Sequence, residues 1–340
     1  MSPSRPGLLL LCALAFGFIL PAGVHAARVA WPAPDAAFFR GEPLEAWVQP
    51  TASGRTESAL FGCTRNGGNR FHEGLDIAAK NFDRRGESTD PCFAVMDGTV
   101  AYINPIAGNS SYGRYVVLVH DRADVPLYSL YAHLRSIEPG LEPGAAVLAG
   151  SPLGTIGRSA AGYSIPRSRS HVHFEIGVRL TDGFQAWYDK QPYGSENQHG
   201  LWNGMNLLGL DPLVFFNAVR ERRFNGFRNL LYDLPAAFTL RVSTTRVPDF
   251  ITRYSHLLAT PIPREGVAGW DIDFTWFGLP KRWIPLDRAQ PVSAREGDVA
   301  VVRYNAELLD QSCRETLIIR DGRAFLGDHL KTTLRLLFGY

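Results

Sequence analysis

Polar and apolar positions alternate most clearly at Ser170-His171-Val172-His173-Phe174-Glu175-Ile176. Successive side chains of a β-strand point to opposite faces, so His171, His173 and Glu175 share one face while Val172, Phe174, Ile176 and Val178 share the other. The second row is fit for burial. The first directs two imidazoles into one space, although taken alone it is equally a strand with two solvent-facing histidines. Similar short runs separated by Gly-rich turns fill residues 51–179. Asp97-Gly98 precedes Thr99-Val100-Ala101-Tyr102-Ile103, and residues 115–120 and 127–134 are near-continuous apolar strands. Val147-Leu148-Ala149 and Leu153-Gly154-Thr155-Ile156 flank Gly150-Ser151-Pro152. Many short strands with turn signals between them predict a mainly β protein built on an antiparallel sheet.

The pattern changes elsewhere. Residues 27–50 are rich in Ala and Pro and read as a linker. Residues 183–205 mix Trp187, Tyr188, Tyr193 and Trp202 with Gly, Gln and Asn, and read as a long loop or insertion of the kind that tends to be functional. Asp211-Pro212 then predicts a helix over 213–222, with Asp as N-cap and Pro at the first position, closing a first domain over 51–223. Residues 224–340 form a second, mixed α/β region of unassigned role. Helical spacing runs through 248–258 (Ile251, Tyr254, Leu258), Asp321-Gly322 predicts a hairpin turn, and Asp328 is placed as the cap of a final helix with Leu330, Leu334 and Leu337 on one stripe.

Composition narrows the class without changing the fold. The chain has 340 residues, 45% hydrophobic and 20% charged, with a net charge of +2. That charge is too small to argue for nucleic acid, and no Lys/Arg run is interleaved with aromatics. Arg5, the apolar run 7–20 and Val24-His25-Ala26 have the order of a secretory signal peptide, expected over 1–26. The run is short for a membrane span, so the mature protein is expected outside the cytoplasm, secreted or periplasmic, without stable membrane insertion. Cys12 would leave with the signal. Cys63 and Cys92 bracket the stretch richest in polar chemistry and are a plausible disulfide in an oxidising compartment, leaving Cys313 odd and buried.

Three patches hold the candidate chemistry: Phe71-His72-Glu73-Gly74-Leu75-Asp76, then Tyr131-Ala132-His133-Leu134, where Tyr131 and His133 are expected on one strand face, and the His171/His173 strand. His72 and Asp76 could share a helix face, but Gly74 between them favours an extended or turning segment. Two imidazoles and one carboxylate are a standard set for catalytic zinc with an open position for water. Two further histidines beside such a site can take a proton or stabilise an oxyanion. The same donor set serves non-haem iron oxygenases, which often bring the carboxylate two residues after the first histidine, whereas the gap here is four. No Gly-x-Ser-x-Gly, Walker-type loop or His-Glu-x-x-His is present.

His72-Glu73-Gly74-Leu75-Asp76-Ile77, Tyr131-Ala132-His133-Leu134 and His171-Val172-His173-Phe174-Glu175-Ile176 resemble the three signatures of the lysostaphin/LytM-type zinc peptidases, which are peptidoglycan endopeptidases. The likeness extends through Phe61-Gly62, Val95-Met96-Asp97-Gly98-Thr99-Val100, Tyr112-Gly113-Arg114-Tyr115-Val116-Val117 and Gly150-Ser151-Pro152-Leu153-Gly154, and covers about residues 55–220. The resemblance implies an antiparallel sheet whose bounding loops form a narrow groove. It implies Zn2+ held by His72, Asp76 and His173, with His133 and His171 as the catalytic pair. It also implies hydrolysis of peptide bonds in peptidoglycan stem peptides or cross-bridges. Two stretches depart from the family pattern, Ser164-Ile165-Pro166-Arg167-Ser168-Arg169-Ser170 and residues 80–92. Both are expected to line the groove, which bears on substrate choice and leaves the metal set intact. The alternative is a non-catalytic wall-binding activator of another hydrolase.

Overall fold

The computed structural model describes residues 29–288 and 295–339. The expected signal segment 1–26 lies outside the described residues. Among the described residues no helix is long and apolar enough to cross a membrane.

The strands that position the site are β1 (Gly62–Arg65), β2 (Arg70–His72), β3 (Leu75–Ala78), β4 (Gly98–Asn104), β5 (Arg114–His120), β6 (Leu127–Leu134), β7 (His171–Arg179) and β8 (Leu207–Leu210). A seven-stranded antiparallel sheet runs β8-β7-β6-β5-β4 and then Ala146–Val147, with β3 pairing the first half of β7. The expected mainly β, antiparallel architecture is therefore present, with few helices.

Alternation along β7 explains its central position. Val172, Phe174, Ile176 and Val178 are fully buried in the main core, where Phe174 meets Tyr131 and Phe216. Helix α1 (Pro212–Arg220) covers that face; Asp211 caps it by accepting from the backbone N–H of Leu213 at 2.9 Å, as the Asp-Pro pair predicts. Within the expected linker, the described residues 29–50 also pack against the core. Trp31, Phe38 and Trp47 are buried, and Trp31 packs against Phe38 and Phe216 with ring centroids 5.1 and 4.7 Å apart. Ala and Pro spacing conceals this because three large aromatics are enough to anchor a segment that has little regular structure of its own.

The C-terminal region adds a four-stranded antiparallel sheet, β9 (Phe238–Ser243), β10 (Val267–Phe274), β11 (Pro280–Asp287) and β12 (Val299–Tyr304), in the order β11-β10-β9-β12. A hairpin, β13 (Leu317–Arg320) and β14 (Arg323–Leu326), turns at Asp321-Gly322, both with positive φ as a type I′ turn requires. Helix α2 (Asp328–Phe338) follows, with Leu330, Leu334 and Leu337 buried. Asp328 lies in its first turn instead of capping it, since Gly327 holds the N-cap position. The segment 248–258 is a short helix, Asp249–Arg253, followed by a 3-10 turn, because Tyr254 leaves helical geometry. The stretch 183–205 contains a one-turn helix, Phe184–Tyr188, with Phe184 and Trp187 buried.

The cysteine pairing differs from expectation. Cys63 is bonded to Cys313, 250 positions away, and Cys92 is a free thiol. Cys92 is fully buried in the core strand Pro91–Phe93, where burial pushes its thiol up out of reach of ordinary ionisation. The bond ties β1 to the segment ahead of the final hairpin. One contiguous set of buried residues runs from Trp31 through the large sheet to Phe338.

Candidate metal centre and flanking histidines

Register brings the candidate donors together. In the β3–β7 pairing His173 stands opposite Asp76, and in the β6–β7 pairing it stands opposite Ala132. His72 ends β2, and Glu73-Gly74 carries the chain from β2 into β3 through a bend at Gly74, the turning form of the two that the glycine allowed. A Cβ at Gly74 would lie 2.3 Å from the carbonyl oxygen of Phe174, so only glycine permits this approach to β7.

His72, Asp76 and His173 form one buried cluster. His72 Nε2 lies 3.0 Å from His173 Nδ1 and 3.1 Å from Asp76 Oδ1, and His173 Nδ1 lies 3.0 Å from Asp76 Oδ1. Tetrahedral zinc with bonds of roughly 2.0–2.1 Å separates its donors by about 3.3 Å, so this triangle is close to the size the ion needs. The outer nitrogens are committed elsewhere: His72 Nδ1 donates to the carbonyl of Leu60 at 2.8 Å and His173 Nε2 donates to Glu175 Oε1 at 3.0 Å. The two inner nitrogens, His72 Nε2 and His173 Nδ1, therefore both face the Asp76 carboxylate, a donor set that suits a cation. Arg65 Nη2 supplies positive charge at its edge, bonding Asp76 and approaching His72 Nε2 at 2.7 Å.

The electrostatics agree. Burial would raise the Asp76 carboxyl, but His72, His171 and Arg65 outweigh it and hold it well below the ordinary range. Burial lowers His72 against the pull of Asp76. Burial alone would also lower His173, yet the carboxylates of Asp76 and Glu175 on its two sides raise it to about 9. A positive charge between those carboxylates is favoured.

His133 and His171 flank the cluster. Their ring centroids are 4.8 Å apart, and His133 lies 5.9 Å from His173. Each has its Nδ1 tied to a backbone carbonyl, His133 to Ser159 at 2.8 Å and His171 to Arg169 at 2.7 Å. Each Nε2 is thereby left as the basic nitrogen. His171 Nε2 is 3.7 Å from Asp76 Oδ1. Burial lowers both histidines; the neighbouring His171 and His173 drive His133 well down, while Asp76 partly restores His171.

All five residues singled out in the sequence thus meet. One detail differs: Tyr131 and His133 do not share a face. Tyr131 packs into the main core, where its hydroxyl accepts from the backbone N–H of Val95 at 2.8 Å and from the Ser129 hydroxyl at 3.0 Å, whereas His133 adopts φ 62° and turns to the histidine side. A positive φ breaks strand alternation, and a non-glycine residue held there marks a position fixed by its surroundings. Gly113 (φ +64°) helps fix it, since a Cβ there would stand 2.1 Å from the Ser159 carbonyl that His133 binds.

Three contributors were not assigned from the sequence. Glu175, which spacing places on the histidine face, is buried and supports His173. It accepts from Tyr112 at 2.6 Å and Tyr128 at 2.8 Å as well as from His173. Tyr112 had only its place beside Gly113 as a signal, and Arg65 only its place three residues after Gly62. Beyond Tyr112 a cavity of roughly 710 Å³ is walled by Glu73 on one side and by Arg314, His329 and Thr332 of the C-terminal region on the other.

Fold and site together define an antiparallel β domain carrying a buried His/Asp/His cluster with two histidines beside it. Residues 70–183 match the sequence profile of Peptidase family M23, so the likeness to the lysostaphin/LytM-type peptidases holds over this segment. Similar solved structures include the catalytic domain of the antimicrobial peptidase lysostaphin from Staphylococcus simulans, 18% identical, covering 51% of this chain and 95% of that one, TM-score 0.31. A mutant catalytic domain of the prophage-encoded M23 protein EnpA from Enterococcus faecalis is 23% identical, covering 38% and 80%, TM-score 0.27. A zinc-containing peptidase from Vibrio cholerae is 23% identical, covering 38% of this chain but only 35% of that one, TM-score 0.26. No curated protein matches the sequence.

Proposed function

We propose that the protein is a zinc-dependent metalloendopeptidase acting outside the cytoplasm on peptide bonds of bacterial cell-wall peptidoglycan, in stem peptides or cross-bridges. The observation that carries this reading is the convergence of His72 Nε2, Asp76 Oδ1 and His173 Nδ1, all within 4.8 Å of one another, beside two histidines with basic Nε2 atoms. The match of residues 70–183 to a peptidase family supports it.

His72, Asp76 and His173 would hold the ion. Zinc so bound supplies a Lewis acid and a water of lowered pKa. His133 and His171 enter neutral, because burial disfavours their charged forms, and each can take a proton at Nε2 and return it to an oxyanion or a leaving amine. The Ser159 and Arg169 carbonyls hold the two rings in the tautomer this requires. Glu175 accepts the His173 Nε2 proton and so leaves Nδ1 as the nitrogen that would face the ion, with Tyr112 and Tyr128 fixing the carboxylate.

The alternative, a wall-binding activator without catalysis, draws on one observation: the Arg65 guanidinium already neutralises Asp76. Two measurements separate the readings. Elemental analysis should find about one zinc per chain, and purified protein should release muropeptides with new amino termini detectable by mass spectrometry. Metal-free protein that binds walls without cutting them would establish the activator.

A further inference from the structure

The loop after the His133 strand borders a second cavity, open to solvent and roughly 470 Å³, that the proposed chemistry does not use. It is lined by Glu87, Arg114, Arg135, Arg158, Ser159 and Tyr163 among others. It adjoins the candidate site through two of these residues. The Ser159 carbonyl is the acceptor for His133 Nδ1, and the half-exposed Tyr163 ring stands edge-on to His133 with centroids 6.3 Å apart.

The charge of this cavity is one-sided. Glu87 is already claimed: Arg158 grips it through Nε at 3.0 Å and Nη2 at 2.8 Å, and Arg167 adds a bond at 2.9 Å. These side-chain bonds from Arg158 and Arg167 hold the Glu87 carboxyl down at about 2, so it stays ionised and engaged. Arg135 shares Asp83 at 3.2 Å and donates to the Ser88 carbonyl at 2.9 Å. Arg114 has no carboxylate partner among the described residues. Its Nε and Nη1 donate to the carbonyls of Pro105 and Arg135, which orient the guanidinium without neutralising it. Three guanidiniums and one carboxylate thus line the cavity, and counting Arg167 and Asp83 behind them four cations meet two anions. The backbone N–H of Arg114 also donates to Ser159 Oγ at 2.8 Å, tying the unneutralised cation to the residue that orients His133.

We infer that this cavity is a subsite for a carboxylate of the bound peptide, held chiefly by Arg114 with Arg135 beside it. A guanidinium steered by neutral carbonyls keeps a donor edge and a full charge for a planar anion, which is the geometry arginine uses for carboxylates. The location beside His133 places the recognised carboxylate within a few residues of the bond to be cut. Stretches 80–92 and 164–170, which depart from the family pattern, supply Glu87 and Ile165 to the lining and Asp83 and Arg167 as partners of Arg135 and Glu87, so this chain's own loops build the wall around Arg114, which itself stands in a family-like stretch.

This rests on the peptidase reading, and binding separates the two. The probes are a wall-type stem peptide with free carboxylates, the same peptide fully amidated, and an uncleavable reduced-bond version of each. Dissociation constants of the uncleavable pair are measured on the zinc-loaded full chain at low and moderate salt. The free acid should bind about tenfold tighter, with the preference shrinking as salt rises. In Arg114→Gln the ratio should fall toward one. Arg135→Gln, a more exposed position, should reduce it in part and carries the test if the first variant fails to fold. Equal binding of acid and amide by the wild type, or a ratio unchanged in both variants, overturns the subsite. Preferential binding of the acid without cleavage of either cleavable peptide would leave the subsite standing and overturn the peptidase reading. Inorganic phosphate competing as well as the free peptide would show a general anion site and overturn the assignment to a peptide carboxylate.

Discussion

Glu175 Oε1 accepts a hydrogen bond from His173 Nε2 at 3.0 Å, two residues apart on the same strand face. The bond turns His173 Nδ1 toward Asp76, and the hydroxyls of Tyr112 and Tyr128 prevent the carboxylate from rotating away. Supporting carboxylates of this kind raise the basicity of a ligating imidazole, and their loss costs roughly 10–100-fold in metal affinity. Glu175→Gln should therefore weaken zinc binding by that factor in a chelator competition, while Tyr112→Phe, which leaves Tyr128 in place, should have a smaller effect. Zinc affinity unchanged in Glu175→Gln would remove the carboxylate from any part in the site.

The two flanking histidines should separate from the donor triad by metal content. His133→Ala and His171→Ala are expected to retain about one zinc per chain while losing roughly 10²–10⁴-fold in peptide cleavage, the usual worth of a positioned proton-transfer group. His72→Ala and Asp76→Ala should lose zinc and cleavage together. A His133→Ala protein as active as the wild type would show that its contact with His171 has no catalytic meaning.

Much of this site was legible because a strand has a strict period of two. His171, His173 and Glu175 were placed on one face by spacing alone, and the apolar partners Val172, Phe174 and Ile176 are buried opposite them. The period failed at His133, where a positive φ reverses the face; that torsion depends on Gly113 and Ser159, which reach it from other elements. The packing of residues 29–50 left no local signal for a related reason. Local composition reports regular structure, and Trp31 owes its burial to Phe38, Trp47 and Phe216 instead. Arg65 and Tyr112 act through partners that only the fold brings near.

The cysteines are the plainest case of a long-range fact with no local signal. Cys92 is nearer to Cys63 in sequence, yet it faces the core, and Cys313 closes a loop of 250 residues. Cross-linking residues so far apart restricts the unfolded chain strongly, and losing such a bond typically costs about 2–5 kcal/mol. Cys313→Ser, or the wild type under reductant, should show a lower urea midpoint. The free-thiol count under denaturation should be one for an oxidised chain lacking residues 1–26 and three after reduction. An oxidised chain with one bond between Cys63 and Cys92, found by peptide mapping, would overturn the pairing.

Acid should loosen the wall that the C-terminal region builds across the cavity beside Tyr112. His329, in the first turn of α2, is largely buried with Arg314 Nη1 3.3 Å from its Nε2. Burial first, and the Arg314 charge second, lower it from 6.5 to about 3. Arg314 is itself tied down, stacking on Phe71 at 3.7 Å and bonding Glu73 at 3.2 Å, so it cannot easily retreat from a protonated imidazole. A histidine whose folded value is depressed contributes stability that is fully present above about pH 6.5. That contribution is lost as pH falls toward 3, because the unfolded chain binds the proton first. The slope is about 1.4 kcal/mol per pH unit inside that window, or roughly 2 kcal/mol by pH 5. His329→Gln should remove that part of the acid sensitivity, so that the difference in urea midpoint between pH 7 and pH 5 is smaller in the variant than in the wild type. Hydrogen exchange should locate the wild-type loosening at α2 and the 313–317 segment that leads into the final hairpin. Identical pH dependence in the two proteins would show that His329 titrates freely and that Arg314 does not confine it.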